Sequence, residues 1–252
     1  MKPVAYPRGT AKSLARSLRV YHGDPARNAA MDALYAQFLG PGALAFDIGA
    51  HVGDRISSFR RLGARVVALE PQPGPARAIR LIHGRDPQVT LIEAACGDSP
   101  GTVALRINSA NPTVSTVSDA FVGAASAAEG WREQSWDREL TVPCTTLDAL
   151  IGRYGLPAFV KIDVEGFEAH VLAGLSRTPA ALSFEFTTIQ RDVAQACLAL
   201  VEALGPYRFN VALGESQTLV FAEAVGAETM AGYIRELPHA ANSGDIYAIL
   251  QG

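Results

Sequence analysis

Most of the chain alternates short apolar runs with segments of helical periodicity. Ala43 to Ile48, Arg65 to Leu69, Gln88 to Glu93, Ala158 to Ile162 and Ala181 to Phe186 are apolar runs of strand length. Between them, Arg55 to Leu62, Pro75 to Ile82 and the segment carrying Phe167, Val171, Leu172 and Leu175 repeat apolar residues three and four apart. Residues 191–204 form another amphipathic helix. Strands separated by helices of about ten residues predict β-α-β units and a parallel sheet with helices on both faces. Two late strands, Arg208–Leu213 and Ile246–Leu250, follow without a long helix between them. That arrangement predicts antiparallel pairing at the sheet edge.

The pattern departs from this rhythm twice. In the first forty residues, Asp24 before Pro25 reads as a helix cap with proline at the first helical position. Met31, Leu34, Tyr35 and Phe38 give that helix an apolar face, and Gly40-Pro41-Gly42 stops it. Residues 1–42 are expected to form a helical extension, either packed on the core or closing over a cleft as a lid. In the middle, Thr102 to Ile107 alternates with period two and Glu139 to Cys144 reads as its partner, an inserted β-hairpin. The connection 108–138 is rich in Ser, Ala, Gly and Asn and carries Trp131 and Trp136. A loop this long inside a compact domain is usually functional or mobile. Thr145-Thr146-Leu147-Asp148 then resembles a capping box.

Composition narrows the classes. The 252 residues, 48% hydrophobic and 19% charged, suit one domain, 43–252, behind the extension. A net charge of −3 argues against a nucleic-acid-coating surface. Cys96, Cys144 and Cys197 lie far apart without a C-x-x-C pair, so neither a disulfide framework nor a zinc ribbon is expected. A cytoplasmic setting fits them best. Pro3, Pro7 and Gly9, then Lys12, Arg16 and Arg19, break any signal-peptide core, and no apolar run is long enough to span a membrane.

Three motifs carry candidate chemistry. Phe46-Asp47-Ile48-Gly49-Ala50-His51-Val52-Gly53 leaves the first strand and enters a helix. Its glycines allow close backbone approach to a ligand, and the helix N-terminus offers free N–H groups. The pattern is D-x-G-x-x-x-G rather than G-x-G-x-x-G, which weakens a dinucleotide reading. Glu70 ends the second strand, stiffened by Pro71, where an acid can accept both hydroxyls of a ribose. Val160-Lys161-Ile162-Asp163-Val164-Glu165-Gly166-Phe167-Glu168 places acids where a central strand ends. Ligands of open α/β sheets bind at that edge. Asp163 or Glu165 could serve as a general base, as partner of a cationic ligand, or as a metal ligand. Glu168 fits better as an acid complementing a helix dipole.

Together, Asp47-Ile48-Gly49-Ala50-His51-Val52-Gly53-Asp54, Ala68-Leu69-Glu70-Pro71, Thr146-Leu147-Asp148, Lys161 through Glu168 and Val171-Leu172-Ala173-Gly174 resemble the FkbM family of S-adenosylmethionine-dependent methyltransferases. The resemblance covers residues 43–190. It implies a class I, Rossmann-like α/β three-layer sandwich whose seven-stranded, mostly parallel sheet has an antiparallel edge. It also implies O-methylation of a hydroxyl on a sugar or other natural-product scaffold. Carried over by residue, Asp47, Gly49, Ala50, His51 and Gly53 line the methionine and ribose part of the cofactor, and Glu70, followed by Pro71, holds the ribose hydroxyls. Ala95 and Cys96 fall at the adenine, and Asp163 lies beside the sulfonium. Ser115 stands near the family's serine before the second hairpin strand. The chain departs from the family at His51, where asparagine is common, and at Ile56, where Thr or Ser is common and Ser57 is a neighbour.

Methyl transfer gains most from positioning donor and acceptor, and a hydroxyl also benefits from a base. The base candidates are Asp163, Glu165, His51 and Glu185. Clustered acids could hold a divalent cation, but no His-rich set marks a dedicated metal site. The extension and the 108–138 loop are the expected substrate-selecting parts, with Tyr6, Tyr21, Trp131 and Trp136 able to stack on a sugar or aglycone; Trp131 and Trp136 fit equally well as residues that pack the loop down. The partner is expected to be a small glycoside or secondary metabolite, with no nucleic acid and no membrane. A nicotinamide-dependent oxidoreductase shares the first two motifs but lacks the central glycine and a Tyr-x-x-x-Lys pair. Base-directed methyltransferases usually carry Asn-Pro-Pro-aromatic where this chain has Asp163-Val164-Glu165-Gly166. A non-catalytic module that keeps the cofactor but lacks the chemistry is the alternative reading, because fold does not fix function.

Overall fold

The computed structural model describes residues 10–252 of the protein; Tyr6 lies outside the described residues. The elements run α1 (Thr10–His22), α2 (Pro25–Tyr35), β1 (Leu44–Ile48), α3 (Asp54–Arg61), β2 (Arg65–Leu69), α4 (Pro73–His83) and β3 (Val89–Ile92). There follow β4 (Ala95–Cys96), β5 (Gly101–Ile107), α5 (Asp119–Ala127), β6 (Arg138–Thr145), α6 (Leu147–Tyr154), β7 (Phe159–Ile162) and α7 (Glu168–Ala173). The chain closes with β8 (Ala181–Thr187), α8 (Arg191–Leu204), β9 (Tyr207–Leu213), α9 (Ala227–Glu236) and β10 (Ser243–Leu250).

Seven strands form the main sheet in the order β3-β2-β1-β7-β8-β10-β9. Strand β10 runs antiparallel between β8 and β9, and the other pairings are parallel. The period-two alternation of β1 sorts its residues onto two cores. Leu44, Phe46 and Ile48 join Leu147, Leu172, Leu198 and Met230 from α6 to α9. Ala45 joins Met31 and Tyr35 of α2, Phe59 of α3 and Ile79 of α4 on the other face. A sheet covered on both faces explains why β1 and β7 are buried throughout.

The N-terminal cap forms as the sequence predicts. The Asp24 carboxylate accepts from Ala26 N at 2.9 Å and Arg27 N at 3.1 Å, and Met31, Leu34 and Tyr35 bury the apolar face. The hairpin also forms, with Leu105 opposite Leu140, and short β4 adds to β6. Other expectations shift. The cap of α6 is Thr146, one residue later than the capping box suggests, because its hydroxyl reaches Ala149 N at 3.1 Å. Asp148 instead accepts from Ser176 N at 2.9 Å. A helix, α9, does separate the late strands; Met230 and Ile234 bury its inner face against α8. The 108–138 connection contains α5, capped by Ser118 and anchored by the fully buried Phe121. Trp131 and Trp136 meet Phe121 edge-on, at 5.4 and 6.1 Å between ring centroids, so they pack the loop down.

Candidate active site

The carboxyl ends of β1, β2, β7 and β8 open onto one cleft of about 980 Å³, counting its mouth. Asp47, Gly49, Ala50, His51, Glu70, Pro71, Ala95, Cys96, Asp163 and Glu165 all line it. The base candidate Glu185 lines it too. Gly53 is not on its wall. A side chain there would meet Ile79 at 3.2 Å and Ile56 at 3.3 Å, so Gly53 serves to bend the chain into α3, with φ of 82°. Ser57, beside the departing Ile56, hydrogen-bonds the Gly53 carbonyl and faces His83 rather than the cleft.

The turn after β1 is built by backbone. Gly49 N and Ala50 N donate to the Leu69 carbonyl at 3.0 and 2.9 Å. Gly49 has φ of 86°, and a Cβ there would sit 1.8 Å from the Asp163 carbonyl oxygen. Only glycine lets the β1 turn pass that close to the end of β7. His51, also left-handed at φ of 45°, donates its N–H to Glu70 Oε2 at 2.8 Å. Gln72 N binds Glu70 Oε1 at 2.7 Å.

The acids of this edge are buried in different ways. Asp47 is 1% exposed, its Oδ2 has no partner among the described residues, and burial with nearby Asp54 pushes its carboxyl up to about 7. Burial pushes Glu70 up to about 8 against its two backbone donors. Both face the cleft, and Asp47 Oδ2 does so without a hydrogen-bond donor among the described residues. His51 is held down to about 4 by burial and is neutral; its Nδ1 has no partner among the described residues.

The turn after β7 is stapled by Glu168, whose Oε1 accepts from Val164 N at 3.0 Å and Gly166 N at 3.3 Å. That staple, rather than a helix dipole alone, accounts for an acid only 2% exposed. It holds Glu165 at φ of 55° and Gly166 at 87°. Such strain persists only where surrounding contacts enforce it. Asp163, with a side chain 33% exposed to the cleft, approaches Glu165 and Glu185, and carboxyl oxygens of the three lie within 4.8 Å of one another. Burial alone would raise Asp163, but Lys161 and Arg55 outweigh it and hold the group below the usual carboxylate range. Burial and the Asp163 charge raise Glu165 and Glu185 instead. The trio is close enough to share a cation or a proton, and because Lys161 already neutralises one member, the proton is favoured.

Residues outside the sequence motifs complete the walls. Tyr21 of α1 lines the cleft and meets the His51 ring edge-on at 5.6 Å. Thr113, from the turn after β5, lies 3.4 Å from His51 Nε2. Ser115, Thr116 and Glu215 also line the cleft, and Thr116 Oγ1 donates to the Glu165 carbonyl at 2.7 Å. Arg27 and Arg55 both pair with Asp54 and Glu215 and so tie α2 and the loop after β9 to the start of α3. Contacts from such distant segments leave no local pattern by which a sequence could reveal them.

A doubly covered sheet in this strand order, with a glycine turn after β1 and an acid ending β2, is the class I methyltransferase arrangement, and its cofactor is S-adenosylmethionine. Residues 47–210 match the methyltransferase FkbM domain, so the chain belongs to the FkbM methyltransferase family. No curated protein matches it. Similar solved structures include a TehB-like SAM-dependent methyltransferase from Corynebacterium glutamicum, 11% identical over 96% of each chain, with a TM-score of 0.49. An O-methyltransferase from Bacillus cereus in complex with SAH is 12% identical over 98% of this chain and 94% of that one, with a TM-score of 0.48. A precorrin-6y C5,15-methyltransferase from Geobacter metallireducens is 16% identical over 89% and 86%, with a TM-score of 0.45. Among the described residues no helix is long and apolar enough to cross a membrane.

Proposed function

We propose that the protein is an O-methyltransferase acting on a hydroxyl of a small sugar-bearing or natural-product acceptor. The observation that carries this reading is Asp163, a carboxylate held ionised at the end of β7 and open to the cleft. When bound, S-adenosylmethionine supplies an electrophilic methyl group on a positively charged sulfur. Asp47, Gly49 and Ala50 would hold its methionine and ribose part, and Glu70 would accept from the ribose hydroxyls, with Pro71 stiffening the loop. Ala95 and Cys96 would flank the adenine.

Asp163 would orient the acceptor hydroxyl and take its proton, with Glu165 beside it. Neutral His51 is suited to hydrogen-bond the acceptor rather than to act as a strong base, because burial lowers its basicity. Tyr21 and Thr113 support a substrate-side role for residues 1–42 and for the 108–138 connection. Among the described residues, seven acidic side chains line the cleft against Arg55 and Lys161, which disfavours a polyanionic acceptor such as nucleic acid. The free cysteines Cys96, Cys144 and Cys197 support a reducing, cytoplasmic compartment.

The test is turnover of methyl-labelled S-adenosylmethionine against a panel of glycosides and polyhydroxylated metabolites, with amines and RNA as controls. Hydroxyl-dependent release of S-adenosylhomocysteine is expected. Methylation confined to amines or RNA would reject the reading.

A further inference from the structure

Lys161 is 0% exposed within β7. It shares the sheet face of Phe159, beneath the aromatic cluster of Tyr35, Phe59 and Tyr247. In the sheet register Asp47 stands opposite Lys161, and Lys161 opposite Ser183. Glu185 and Asp245 form a pair further toward the cleft. The ammonium has three protons and three acceptors. These are Asp245 Oδ1 at 2.8 Å, Asp163 Oδ2 at 3.0 Å and, more weakly, the Ile162 carbonyl at 3.5 Å. Asp245 lies 84 residues away on the antiparallel strand β10, two strands across the sheet.

A buried ammonium is unfavourable unless paired, and a methionine of similar length would pack in an aromatic layer at less cost. The position therefore gains something other than packing from the charge. We propose that Lys161 is a positioning residue of the methyl-transfer site: braced from behind by Asp245, its ammonium fixes the Asp163 carboxylate at the lip of the cleft. This rests on the reading of Asp163 as the group that meets the acceptor.

The charges around Asp163 show why a brace is needed. Glu185 faces it from β8, Asp245 from β10, and Glu165 and Glu168 from the turn and start of α7. Asp47 and His51 face it from the β1 side, and Tyr21 from α1. Among the described residues the permanent cations near Asp163 are Lys161 and Arg55, and of these two Lys161 makes the hydrogen bond, while Glu185 is a further side-chain hydrogen-bond partner. Without Lys161, Asp163 would compete with Glu165 and Glu185 for the same proton. Its orientation would no longer be set by the sheet.

The test uses the full chain and two readouts. In the first, carbon-13 NMR follows titration of the Asp163 carboxyl, assigned with Asp163→Asn. Lys161→Met should move that titration upward by about one pH unit, roughly a tenfold change in the ratio of ionised to protonated carboxyl at a given pH, while Lys161→Arg should leave it nearly in place. In the second, the acid limb of the pH–rate profile of Lys161→Met should move upward by about the same one pH unit, with affinity for S-adenosylhomocysteine retained. An unmoved Asp163 titration in folded Lys161→Met, or an acid limb left in place, would overturn the proposal. If Lys161→Met does not fold, Asp245→Asn decides: kcat should fall with S-adenosylhomocysteine affinity unchanged, and an unaltered kcat would overturn it. The titration needs no acceptor, so failure to find one and failure of the Lys161 role give different results.

Discussion

The Glu70 carboxylate accepts the backbone N–H of His51 at 2.8 Å. This bond joins the end of β2 to the glycine turn after β1, so the acid proposed to hold the ribose also shapes the loop proposed to hold the methionine part. The other carboxylate oxygen holds Gln72 N at 2.7 Å. One side chain thus fixes two loops.

Glu70→Gln is expected to weaken adenosine binding roughly tenfold, since an amide can satisfy only one of the two backbone donors and loses charge-assisted bonding to the diol. Because burial raises the Glu70 carboxyl to about 8, adenosine should bind more tightly as pH rises toward 8 and level off above it. Calorimetry on the wild type and Glu70→Gln checks both points; a pH slope surviving in the mutant would assign it to another group.

The ligand-free protein should lose thermal stability between pH 6.5 and 8. Glu70 is raised to about 8, and Asp47 and Glu168 to about 7, so the folded state holds protons that the unfolded chain has already released. Stability then falls as pH climbs through those values. His51 and His83, both lowered by burial, act in the opposite sense but only below about 6.5. Scanning calorimetry across that window should show a declining Tm, and Glu70→Gln should flatten its upper part.

Gly49→Ala should abolish cofactor binding and destabilise the fold by roughly 2–4 kcal/mol, because the new methyl would meet the Asp163 carbonyl in a backbone conformation disfavoured for alanine. Denaturant titration and S-adenosylhomocysteine calorimetry measure the two effects. Gly123→Ala, with open space around it inside α5, is the control: cofactor affinity should be unchanged and stability raised by about 0.5–1 kcal/mol.

Asp163→Asn and Glu165→Gln should each lower kcat by roughly 10²–10⁴-fold while changing cofactor affinity much less. Near-normal turnover in both would remove these carboxylates from the chemistry.

Tyr21→Ala should raise the acceptor KM roughly tenfold and leave S-adenosylhomocysteine affinity near wild type. Tyr21 approaches the cleft from α1 over His51. An equal loss of cofactor affinity would instead make α1 part of the cofactor site.

Much of the fold follows from local pattern. Apolar runs of strand length and helices of helical period identify the β-α-β core, and Asp24-Pro25 marks the start of α2. What escapes is instructive. Helix α5 lies in a Ser-, Ala- and Gly-rich stretch whose periodicity is weak, and it is ordered by Phe121 meeting two distant tryptophans. The capping of α6 by Thr146 rather than Thr145 depends on which hydroxyl reaches a free N–H, a difference of a single residue.

For the site, the three acids at strand ends and the glycine turn are legible in the residue order, because each sits where a strand must stop and a helix begin. Their charge states and their neighbours come from packing in three dimensions. Lys161 reads as one polar residue in an apolar strand until the register of β7, β8 and β10 carries Asp245 to within 2.8 Å of it. Tyr21, Thr113 and Glu215 reach the cleft from three separate segments. Contacts between such segments are set by packing, and burial sets the proton affinities; neither is written in the spacing of residues along the chain.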